Sequence, residues 1–114
     1  MSMSLQLPPA VDLYVKMENA GDPDAVSSCF AANATVRDEG HTYEGLDAIK
    51  KWKAETKERY NHTIYPLAVS HREGKTILIA RVSGNFPGSP VTLEFAFAIE
   101  RGKIVAMQIQ AAEP

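Results

Sequence analysis

Val91-Thr92-Leu93-Glu94-Phe95-Ala96-Phe97-Ala98-Ile99-Glu100 alternates without a break. A side-chain period of two puts Val91, Leu93, Phe95, Phe97 and Ile99 on one face of a strand and Thr92, Glu94, Ala96, Ala98 and Glu100 on the other. Working outward, Arg101-Gly102 turns the chain into a last strand, Ile104 to Gln110. Upstream, Pro87-Gly88-Ser89-Pro90 reads as a loop after a strand from Lys75 to Asn85. Glu73-Gly74 is a hairpin turn joining that strand to another, Thr63 to Arg72. Strands connected so tightly pair antiparallel.

The half before Asn61 reads differently. Leu46, Ile49, Trp52 or Lys53, Thr56 and Tyr60 recur at helical spacing, with Lys50, Lys51, Lys57, Glu58 and Arg59 on the solvated side. Before it, Ala34 to Asp38 has period two and Gly40 ends it; Thr42-Tyr43-Glu44 makes a brief returning strand. At the start, Pro8-Pro9 opens a helix with Ala10, Leu13, Tyr14 and Met17 on one stripe, and Gly21 stops it. Asp22-Pro23 is N-cap and first position of a second, short helix, whose buried side is Val26, Cys29 and Phe30. The expectation is one α+β domain over residues 1–114, with three helices and about six strands. Its mixed or antiparallel sheet curves around a long N-terminal helix and encloses a conical cavity. Tyr14, Phe30, Tyr43, Trp52, Phe95 and Phe97 lie on elements that converge there.

With 114 residues, 45% apolar and 23% charged, the chain has globular composition. A net charge of −2 supplies no footprint for nucleic acid. No apolar run approaches the ~20 residues of a membrane span. The stretch 1–9 lacks a basic n-region and an apolar h-region, so the expectation is a cytoplasmic protein, and the triplets at Asn33 and Asn61 read as chance glycosylation matches. One cysteine, Cys29, builds neither a disulfide framework nor a zinc site.

Asp38 is the most informative residue, because it continues the inward face of Ala34 and Val36. A carboxylate there loses solvation, which raises its proton affinity toward that of a general base. Pairing with Arg81, or a plain strand end in water, is the competing reading. Tyr14 sits on an apolar helical stripe; it is either core or a phenol that donates to a developing oxyanion. His41, His62 and His71 lack metal-ligand spacing, and no metal or cofactor motif occurs. His41, three residues past Asp38, is a candidate accessory group at a cavity mouth.

Val11-Asp12-Leu13-Tyr14-Val15, Asn19-Ala20-Gly21-Asp22, Phe30-Ala31 and Ala34-Thr35-Val36-Arg37-Asp38 resemble the opening of bacterial ketosteroid isomerases. Tyr43-Glu44-Gly45-Leu46-Asp47-Ala48-Ile49 with Trp52 is similar to an element of the SnoaL-like cyclases, and Gly102-Lys103-Ile104-Val105-Ala106-Met107 to the last strand of both. The resemblance covers nearly the whole chain and implies a nuclear transport factor 2-like (cystatin-like) cone. It implies Asp38 as the base that moves a proton beside a ketone and Tyr14 as the donor to the enolate oxygen. Phe95 stands where the isomerases place a protonated aspartic acid, and Lys53 where they place a second tyrosine. The pocket for a small apolar carbonyl compound would be shaped by Phe30, Val36, Tyr43, Trp52, Phe95 and Met107, without metal or cofactor. Steroid isomerisation, polyketide cyclisation and dehydration all remain open.

A second class of function needs no chemistry: a small-molecule-binding or interaction module of the same fold. Thr92, Ala96 and Ala98 give the long sheet a flat outer face bordered by Glu94, Glu100, Gln108 and Gln110, which permits sheet-to-sheet packing. The resemblance implies a homodimer through it.

Overall fold

The computed structural model describes residues 6–38 and 40–112; the opening residues read above for a leader lie partly outside that range. Helix α1 (Pro9–Ala20) begins with proline in its first turn. It ends where Gly21, at φ 69°, donates its backbone N–H to Met17 O, a left-handed cap that costs glycine nothing. The Asp22 side chain accepts from Asp24 N and starts a 3-10 turn, Pro23–Ala25, that runs into the short α2 (Val26–Cys29). Strand β1 (Phe30–Asp38) follows at once, so Phe30 opens the strand instead of closing the helix. Its φ of −106° is already extended, and it pairs with Ile104. Then come β2 (His41–Glu44), α3 (Leu46–Tyr60), β3 (Thr63–Arg72), β4 (Lys75–Ser83), β5 (Val91–Glu100) and β6 (Lys103–Ala111).

The six strands form one sheet in the order β2-β1-β6-β5-β4-β3. Every neighbouring pair is antiparallel except β1 and β6, which run parallel, so the sheet is mixed. The β5 alternation holds: Phe95 and Phe97 are buried on the concave face, against Leu78, Ala80 and Val82 of β4 and Met107 and Ile109 of β6. On β3 the register shifts between Pro66 and Ala68, leaving Leu67 as the extra residue. Tyr65 and Leu67 are exposed on this edge strand.

Helix α1 covers one end of the concave face. Tyr14, fully buried, packs against Phe30, Phe97 and Phe95 at centroid distances of 5.9, 5.5 and 6.1 Å. The Asn19 side chain brackets the edge of β3, donating to Ile64 O (3.0 Å) and accepting from Ile64 N (2.7 Å). On α3, Ile49, Trp52 and Lys53 are all buried. Lys57, read from sequence as part of the solvated face, is half-buried: its ammonium donates to Glu18 O and His62 O and ties α1 to the start of β3.

Candidate functional site

Between α3, the outer half of the concave face and the loop before β5 lies a cavity of about 900 Å³. Its apolar wall includes Trp52, Ile64, Val82, Leu93, Phe95 and Ile109. Tyr43 stacks on Trp52 at 4.9 Å and 18°. The loop contributes Phe86, which meets Tyr60 edge-on at 5.7 Å, and Asn85 N donates to Tyr60 O. Gly84 makes this closeness possible: a Cβ there would fall 2.8 Å from Tyr60 O and 3.1 Å from His62 Cα.

Asp38 lines the cavity, half-buried at the end of β1 and in register with Ile109. His41, on β2 and paired with Asp38, lines it too and is exposed. Tyr43, Trp52 and Phe95 are also in the wall. Phe30, Val36 and Met107 share the concave side but lie in the core and do not line the cavity. The period-two reading of their face holds; α1 and its Tyr14 fill that end of it, which strand periodicity alone does not reveal. Tyr14 is likewise outside the lining.

The same lining holds a polar cluster that the sequence alone did not bring together. Glu18, Lys53 and His62 are each about 5% exposed and all line the cavity. Glu18 Oε2 accepts from Lys53 Nζ at 2.8 Å, from His62 Nε2 at 3.0 Å and from Tyr14 Oη at 3.3 Å. Lys53 Nζ also lies 3.5 Å from Tyr14 Oη and 3.8 Å above the Trp52 ring. Burial by itself would raise the Glu18 pKa; the Lys53 ammonium and the His62 bond outweigh it and hold the group at about 2. Burial, then the Glu18 carboxylate, push the Tyr14 phenol well above its ordinary range. The signal was present: Glu18 is four residues past Tyr14 on the inward stripe of α1, and Lys53 four past Ile49. Cys29 is fully buried, and burial pushes its thiol up to about 11, away from the thiolate form that a nucleophile needs.

Among the described residues no helix is long and apolar enough to cross a membrane. The profile of the SnoaL-like domain matches residues 11–107. No curated protein matches the sequence. Among solved structures, a candidate polyketide cyclase from Sinorhizobium meliloti is 39% identical with a TM-score of 0.87, over 91% of this chain and 95% of that one. A protein with a ketosteroid isomerase-like fold from Catenulispora acidiphila, in complex with trimethylamine, is 22% identical (TM-score 0.83, 94% and 88% covered). The epoxide hydrolase/cyclase-like enzyme SalBIII, of pyran ring formation in salinomycin, is 22% identical (TM-score 0.77, 90% and 88% covered). The last two show likeness of fold.

Proposed function

Because the chain belongs to the SnoaL-like domain family, we propose that it binds a small apolar carbonyl compound in this cavity and moves a proton on it. Asp38 is the general base. Negative charge developing on the carbonyl oxygen is met from the α1–α3 side, where the Tyr14 hydroxyl and the Lys53 ammonium share Glu18. Tyr14 acts from behind Lys53, because its ring is fully buried. The observation that carries this reading is a half-buried carboxylate in a cavity with an apolar wall and a buried cation in the same lining. The similarity to a candidate polyketide cyclase makes cyclisation the favoured class over steroid isomerisation. Phe95, where the isomerases have an acid, agrees with that order.

The test needs no knowledge of the natural substrate. A panel of apolar ketones in deuterated buffer, followed by NMR, reports exchange of hydrogens beside the carbonyl. Accelerated exchange for ketones that the protein binds is the expected result; binding with no acceleration across the panel would remove the base and leave a binding module. That second reading draws on one observation, the commitment of the Tyr14 hydroxyl to Glu18.

The outer face of the sheet is proposed as a homodimer surface. Ile79, Glu94, Ala96, Ala98, Ala106 and Gln108 are brought together there by the β4–β5–β6 register. Ala98→Arg puts a long cation into the middle of it, and sedimentation equilibrium should show a dimer converted to monomer with the fold intact. A wild-type monomer at high micromolar concentration would refute the surface.

A further inference from the structure

The side of α3 that faces the cavity does not end with Trp52 and Lys53. Glu55, Thr56, Arg59 and Tyr60 line the cavity as well, so the helix follows it for about 12 Å, from Trp52 to its last turn. Exposure rises along the way: Trp52 and Lys53 are buried, Thr56 and Tyr60 half-buried, Glu55 and Arg59 exposed. The two cations on this side are in different states. Lys53 is neutralised by Glu18 at 2.8 Å. Arg59 enters none of the ion pairs among the described residues, although Glu55 stands one turn before it in the same lining. Its guanidinium lies instead 5.8 Å from the centre of the Tyr60 ring, which Phe86 meets edge-on from the loop before β5. A guanidinium laid against a ring keeps its N–H edge available, and that planar fork matches the two oxygens of a carboxylate.

We propose that Arg59 is the anion-receiving residue of the cavity, and that the ligand is a keto acid, with its ketone toward Lys53 and a carboxylate at Arg59. This rests on the reading of the cavity as a site for a carbonyl compound. The volume agrees, because about 900 Å³ is far more than a small ketone fills. Lys53 and Arg59 are six residues apart, about 9 Å along the helix axis, which sets the span between the ligand's two polar ends. The apolar wall, from Trp52 to Ile109, surrounds the body between them. Charge also fixes the direction of entry. Glu18 is a carboxylate already shared by Lys53 and His62, and it turns a second anion away from the enclosed end. At Arg59 a carboxylate stays partly hydrated, so its desolvation costs little. Glu55 competes for the same guanidinium, which keeps the gain in affinity modest.

The test titrates the whole protein at neutral pH with 4′-acetylbiphenyl-4-carboxylate, a rigid keto acid, and with its methyl ester, each by calorimetry. The acid should bind about fivefold more tightly than the ester, the size expected of an ion pair that water partly screens. In Arg59→Gln the ratio of the two affinities should fall to one or below, because the carboxylate then meets only the acids of the lining. Arg59 is exposed and glutamine forms helix well, so the fold is retained in that variant. Three results would overturn the assignment: no binding of the acid, equal affinity for acid and ester in the unsubstituted protein, or a preference for the acid that survives in Arg59→Gln. The first two are read without any substitution. The acetyl hydrogens of the same probes, followed in deuterated buffer, report proton transfer separately. Exchange without a preference for the acid removes the role of Arg59 and keeps the base; preference without exchange removes the base and keeps Arg59.

Discussion

Asp38→Asn is expected to lower the rate of ketone hydrogen exchange by about 10²–10⁴-fold, the usual contribution of a positioned general base. The amide occupies the carboxylate's volume and keeps one carbonyl oxygen, so ligand affinity, read from Trp52 fluorescence, should change little. The loss belongs in kcat and not in KM, because an asparagine can hold a substrate but cannot take its proton. The position of Asp38 gives this its force. It is the carboxylate that β1 delivers to the cavity, on the face that also carries buried Ala34 and Val36 and beside Ile109. A variant that exchanges as fast as wild type would end the general-base assignment and leave the fold untouched.

Glu18→Ala is expected to destabilise the fold by about 3–5 kcal/mol, the range for stripping one partner from a buried ion pair. Lys53 would be left as an ammonium buried between Trp52 and Tyr14, and His62 Nε2 and Tyr14 would lose their acceptor. Replacing both charges, as in Glu18→Leu with Lys53→Met, should recover much of that loss, because neither charge then has to be desolvated. Urea denaturation of the single and the double variant decides it, and a cost under ~1 kcal/mol for the single change would show the pair to be solvated. The same carboxylate predicts acid lability. Its folded pKa, about 2, lies below the unfolded 4.5, so its contribution is complete above 4.5. It declines as the pH falls through that value toward about 2 and is absent below. The shift corresponds to roughly 3 kcal/mol, and Glu18→Gln should flatten the stability profile across that window.

The elements that the sequence revealed are those in which one face is wet. The β5 alternation, the α3 stripe and the Gly21 stop are each set by local chemistry, and each stands within a residue or two of its predicted bounds. What local pattern could not carry is depth along a face. Ala34, Val36, Met107 and Phe95 all point inward, yet only Phe95 of these reaches the cavity, because α1 occupies the other end. Glu18 and Lys53 escaped for a related reason: a charge on an inward stripe reads as an irregularity until a partner from a helix 35 residues away is seen to meet it. His62 was weighed only as a metal ligand, and its partner is 44 residues distant.

The parallel pairing of β1 with β6 has a bearing on how the molecule comes into being. The strand that joins the β1–β2 ribbon to the rest of the sheet is the one nearest the carboxyl end of the chain. While a ribosome is still making residues 103–111, Asp38 and its ribbon have no sheet to belong to, and the β3–β4–β5 meander has an open border along β5. Loop-closure entropy must be met across some seventy residues before any β1–β6 contact returns it, so assembly should be late, cooperative and slow for a domain of this size. Until that moment the exposed border is a template for pairing with other chains.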